Sequence, residues 1–192
     1  MQTNRLNTII AIIGAAALLF PFTSQGQLGS LGKVAGVATG TVTAASLNAD
    51  LFGGLDFFSK ANIKFSEALL PKEQAAKIKA QLEAASADND HSAAQAANKQ
   101  ACEQNKAAAE ELIKKSQALS EEQKKLVKEG QGEAAKGVAK WGAVGASLAL
   151  AAKSGNTDAQ LATAIPAAQQ MIQDLPDINK MLGTINKLNK IK

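Results

Sequence analysis

The side chains able to do bond-making chemistry are few: one His, one Cys and no Tyr in 192 residues. A thiol–imidazole nucleophile would have to join Cys102 to His91. On one helix that separation is about 16 Å at a rise of 1.5 Å per residue, far beyond hydrogen-bond reach. A lone Cys forms no intramolecular disulfide. Set among Ala residues, Cys102 reads as a small buried hydrophobe, with an intermolecular disulfide as the rival role. Asp88-Asn89-Asp90-His91 places two carboxylates beside an imidazole, the one spot where a metal is conceivable. A calcium loop would need its Gly and a Glu at the twelfth position, and neither follows, so a solvated turn is expected. The pairs Glu110-Glu111 and Glu121-Glu122 are adjacent on predicted helices and diverge. There is no G-x-S-x-G elbow, H-E-x-x-H pair, phosphate-binding glycine loop or C-x-x-C-H haem site. The expectation is a protein that is not an enzyme and carries no catalytic, metal or cofactor site.

The elements behind these residues centre on Ala134 to Ala152, the longest apolar run outside the N-terminus and the home of the only Trp. At helical spacing Ala134, Val138, Trp141, Gly145, Leu148 and Ala152 share a face, and Lys136, Lys140 and Ser147 lie opposite. The uncharged run from 141 to 152 falls short of the roughly 20 residues that span a bilayer, so a buried amphipathic helix is expected. Gly137, Gly142 and Gly145 each weaken a helix by about 1 kcal/mol relative to Ala, which suggests close approach of a neighbour. Gly137, Trp141 and Gly145 are therefore candidates for tight packing or self-association. Insertion of small residues into a membrane is the sharper rival.

Ala, Lys, Gln, Glu and Leu dominate, aromatics are 4% and Pro numbers only 4, a balance that favours helix over sheet. The fold class expected is all-α, an Ala-rich antiparallel helical bundle following an N-terminal signal peptide. The net charge of +4 comes from 21 basic and 17 acidic residues, and Arg5 is the only Arg. Without clustered basic residues interleaved with aromatics, nucleic acid is not an expected partner.

In chain order, residues 1–26 combine Arg5, an apolar run from Ile9 to Phe22 and small residues through Gly26, the pattern of a secretory signal peptide. An uncleaved anchor is the rival. Residues 27–192 then form a single helical domain in three parts. The first, 27–65, is Gly/Ala-rich and low in charge. Gly32, Gly36 and Gly40 recur every fourth residue and form a close-packing or oligomerisation ridge if helical; Gly53-Gly54 marks an expected turn. The cluster Leu51, Phe52, Leu55, Phe57 and Phe58 reads as core, with a hydrophobic-ligand pocket as the alternative.

The second part, 66–155, is a helical hairpin region. Leu70-Pro71-Lys72-Glu73 starts a helix to about Ala87, and helix resumes at Ser92 with Ala94, Ala97, Ala101, Ala108 and Leu112 along one stripe. Ser120-Glu121-Glu122-Gln123 is a capping box that opens the helix containing Trp141. The third part, 156–192, is divided by Pro166 and Pro176 into short helices, ending in a cationic amphipath. There Ile178, Met181, Leu182, Ile185, Leu188 and Ile191 share a face, while Lys180, Lys187, Lys190 and Lys192 decorate the rest. Lys180, Met181, Leu182, Ile185, Lys187, Leu188 and Lys190 are thus candidates for membrane or partner contact, against docking on the bundle itself.

Together these features lead to an exported protein, periplasmic or secreted, that acts through protein–protein contact or as an accessory or structural component of the cell envelope. Its expected partners are another protein or a second copy, with peripheral membrane contact as a further option. A membrane-active protein and a carrier of a hydrophobic ligand are the alternatives.

Overall fold

The computed structural model describes residues 43–87, 91–154 and 159–191, and among these it has five α-helices and no strand. They are α1 (Ala44–Leu69), α2 (Lys72–Ala87), α3 (His91–Lys114), α4 (Glu121–Ser154) and α5 (Ala159–Leu188). The expected signal segment 1–26, the ridge of Gly32, Gly36 and Gly40, and the Asp88-Asn89-Asp90 turn lie outside the described residues. The described residues divide into two compact units, those of 43–52 with 138–173 and those of 53–137 with 174–191, the division falling inside α1, α4 and α5.

Helix starts follow side-chain chemistry. At α1 the Ser46 amide donates to Thr43 Oγ1 at 3.1 Å, and the Thr43 amide donates to Ser46 Oγ at 3.2 Å. The same reciprocity opens α4, where the Gln123 amide donates to Ser120 Oγ at 3.2 Å and the Ser120 amide to Gln123 Oε1 at 2.9 Å, as the sequence predicts. Pro71 immediately precedes α2, where its missing amide costs no helical hydrogen bond.

Two sequence expectations need correction. Gly53-Gly54 is not a turn, because α1 runs through both. Leu51, Leu55 and Phe58 around them are buried, and that burial outweighs the roughly 1 kcal/mol each Gly costs in a helix. Nor do Pro166 and Pro176 divide the tail, since α5 is continuous from Ala159 to Leu188. Both prolines are exposed, so the carbonyls they leave without a helical donor can turn to water. The apolar stripe Met171, Leu175, Ile178, Leu182, Ile185 and Leu188 stays buried throughout, at spacings of three and four residues.

Within residues 53–137 and 174–192, α1 and α4 meet through rings and missing Cβ atoms. A Cβ added to Gly130 would lie 2.7 Å from the Phe65 ring, and one added to Gly137 would lie 3.0 Å from the Phe58 ring. Both pairs are seven residues apart, so two turns of each helix repeat the same notch and knob. Lys64 bridges to Glu129 at 3.1 Å, and Gln123 Nε2 donates to the Ala68 carbonyl at 2.7 Å. Ile78 and Leu82 of α2 bury against Ala101 of α3, with Ile63, Leu70 and Ala97 around them. Gln95 donates to the Asp174 carboxylate, and Gln131 Nε2 donates to Asn186 Oδ1 at 2.7 Å, tying α5 to α3 and α4 respectively.

Within residues 43–52 and 138–173 the buried side chains include Leu47, Leu51, Trp141, Val144, Ala168 and Met171. The Trp141 indole N–H points at the Leu51 carbonyl at 3.4 Å, and Lys140 bridges to Asp50 at 2.7 Å.

Candidate functional site

Polar side chains cost free energy inside a protein unless partnered, and five are buried where α1 and α3 face each other: Ser59, Asn62 and Ser66 on α1, Asn98 and Asn105 on α3. They form one ladder. Asn98 Nδ2 donates to Ser59 Oγ at 2.9 Å and to the Ala94 carbonyl at 2.9 Å. Asn62 Nδ2 donates to Asn98 Oδ1 at 3.1 Å, and its own Oδ1 and carbonyl accept from Asn105 Nδ2 at 3.3 and 3.0 Å. The Ser66 hydroxyl closes the ladder, 2.9 Å from Asn105 Oδ1 and 2.8 Å from the Asn62 carbonyl. Ser59 and Ser66 are one heptad apart, as are Asn98 and Asn105, so rotating or sliding either helix by a residue would strip several buried groups of their partners. These groups are neutral and mutually satisfied. The arrangement selects which faces meet and offers no proton to move.

Sequence reading missed this ladder because its residues are polar and stripe analysis follows apolar positions alone. A signal was present: Asn98 and Asn105 each lie four residues after Ala94 and Ala101, members of the stripe the sequence already marks as packed.

Cys102 is 6% exposed, and its Sγ lies 3.9 Å from the Asp177 carbonyl, the geometry of a weak S–H donor. Burial, reinforced by the nearby Asp177 and Glu103 charges, pushes its thiol up to about 12. A thiol so protected is a poor nucleophile at neutral pH, as a small buried hydrophobe should be. His91 begins α3 and Cys102 sits eleven residues later in the same helix, so the structure does not bring them together. Among the described residues, no three His, Cys, Asp or Glu side chains are grouped closely enough to hold a metal ion.

Other perturbed charges belong to exposed pairs. A hydrogen bond from Lys180 holds the Asp177 carboxyl below its ordinary range; one from Lys115 does the same for Glu111, and Asp56 raises the Lys60 ammonium. Lys60 and Lys136 also stand over one ring, 5.7 and 5.6 Å from the Phe57 centroid.

The tight-packing candidates divide. Gly137 accommodates Phe58, and Trp141 and Gly145 are buried, whereas Gly142 is exposed with nothing within 4 Å of an added Cβ. Gly130, which the sequence reading did not single out, makes the closest approach of all. In the tail, Met181, Leu182, Ile185 and Leu188 are buried within the chain, while Lys180, Lys187 and Lys190 are exposed. The apolar face is thus turned inward, and of the three lysines Lys180 pairs with Asp177 at 2.9 Å. Likewise Leu51, Leu55 and Phe58 of the Phe-rich cluster are buried, leaving Phe52 and Phe57 half-buried. No helix among the described residues is long and apolar enough to cross a membrane. Comparison with protein-family models, with curated proteins and with solved structures finds no match to this chain.

Proposed function

We propose that this chain is an exported, non-enzymatic helical protein whose Ala-rich antiparallel bundle presents a fixed surface to a protein partner in the cell envelope or outside it. The observation that carries this is the buried Ser–Asn ladder between α1 and α3. A protein that sets five polar side chains inside, each partnered, gains specificity of register more than stability. A single register gives a single outer surface, which is what contact recognition needs.

The order of contacts supports the bundle. Phe58 and Phe65 meet Gly137 and Gly130, so rising numbers on α1 meet falling numbers on α4. Ser59 and Ser66 meet Asn98 and Asn105, and Gln95 and Cys102 meet Asp174 and Asp177, so α1, α3 and α5 rise together against α4. Export rests on the basic, apolar and small-residue succession of residues 1–26.

Insertion of the tail into lipid would require Met181, Leu182, Ile185 and Leu188 to leave the interior, which at about 25 cal/mol per Å² of apolar surface weighs against it. Tagged protein crosslinked in its native envelope and then purified should retain a discrete partner, and fractionation should find it outside the cytosol. A cytosolic product that crosslinks to nothing would overturn the proposal.

A further inference from the structure

Lysines of α4, α5 and the turn after α5 collect beside the α4–α5 contact. Gln131 and Asn186 are joined directly, and in the proposed bundle α4 and α5 run opposite ways. Lys128, about one turn before Gln131, therefore flanks the same seam as Lys187, which follows Asn186, with Lys125 beside Lys128 and Lys190 in the turn that follows α5. All four are exposed, and none pairs with a carboxylate among the described residues. Nearby acids are engaged elsewhere: Glu121 with Lys124, Glu129 with Lys64 and Asp177 with Lys180, leaving Glu122 on the first turn of α4.

We infer that this lysine strip adsorbs the protein to an anionic lipid surface through charge, with the apolar face of α5 kept inside. Lys ammonium groups are hydrated point charges on flexible stems, which suits a mobile anionic headgroup layer. Such a contact differs from the insertion of an amphipathic helix in being reversed by salt. It rests on the opposed run of α4 and α5 and goes beyond protein contact in naming a lipid surface.

The test is flotation of the full chain with vesicles of phosphatidylcholine alone or with about one-third phosphatidylglycerol, at low and high salt. Binding is expected only to the anionic vesicles at low salt, falling about fivefold for each of Lys125, Lys128, Lys187 and Lys190 changed to Gln. Lys128→Arg with Lys190→Arg should bind as the parent does. Lys72→Gln with Lys77→Gln on α2 is the control. Circular dichroism of each variant reports whether the helices persist, and the salt response of the unchanged chain tests the strip even if a variant fails to fold.

Flotation that survives both salt and the four substitutions belongs to the apolar run at Ile9–Phe22 and overturns the strip. So does equal loss in the α2 control, or binding to polyglutamate beads without binding to vesicles. A short amine-reactive crosslinker should link Lys128 to Lys187 in the free protein. Absence of that link overturns the bundle and the strip together, whereas its presence without salt-reversible binding overturns the strip alone.

Discussion

Asn105 supports the most consequences per atom in the buried ladder. Replacing it by Ala strands the buried Asn62 Oδ1 without its donor, at about 1–3 kcal/mol, and opens a cavity beside Ser66, whose hydroxyl keeps the Asn62 carbonyl as acceptor. Urea unfolding of Asn105→Ala should show a loss of at least about 2 kcal/mol, well above that of Gln104→Ala on the exposed side of α3. Glycines make a second contrast. Gly130→Ala would press a methyl into the Phe65 ring and should cost about 1–3 kcal/mol. At Gly132, Gly142 and Gly183 nothing lies within 4 Å, so Ala there should stabilise by about 0.5–1 kcal/mol in the same assay.

Cys102 adds a pH dependence. Its folded thiol titrates near 12 against an ordinary 9.0, so its contribution is intact below pH 9. As pH rises toward 12 the unfolded chain gives up this proton before the folded one, and stability falls. Stability measured across that range should decline less in Cys102→Ala than in the parent.

At the scale of the helix, Pro166 and Pro176 test how far packing overrides local preference. Each lacks an amide in the middle of α5, so Pro176→Ala should restore a hydrogen bond and raise thermal stability by up to about 3 kcal/mol. A loss of stability would mean that the backbone geometry Pro176 imposes is needed for burial of Leu175 and Ile178. Ser120→Ala should cost about 1 kcal/mol through the lost cap on α4.

Punctuation and stripes made much of this legible beforehand: Pro71, the Ser120–Gln123 box and the apolar tail face all stand where residue type and spacing put them. What escaped was whatever depended on a distant helix. Gly53-Gly54 and the two prolines carry strong local signals that apolar neighbours override. Asn98 and Asn105 look solvated until α1 supplies Asn62, Ser59 and Ser66. The α4 face is shifted as well: Gly137 and Val144 are buried beside Ala134 and Trp141, while Val138, which the sequence places on that face, is half-buried.

Across the whole molecule, small side chains let helices approach closely but remove little surface from water per residue, so directional contacts matter more than in a Leu-rich bundle. Far-ultraviolet circular dichroism should show helix without sheet. Substitutions in the Ser–Asn ladder should lower cooperativity before helix content, giving broadened melting with helical spectra largely kept. With one Trp and no Tyr, near-ultraviolet absorbance is faint, and intrinsic emission originates at a single indole. That indole is Trp141, 2% exposed with its N–H toward the Leu51 carbonyl. The chain thus comes with a built-in optical probe: blue-shifted, poorly quenched light while Leu51 and Trp141 stay together, and a red shift when that neighbourhood opens, with no dye attached.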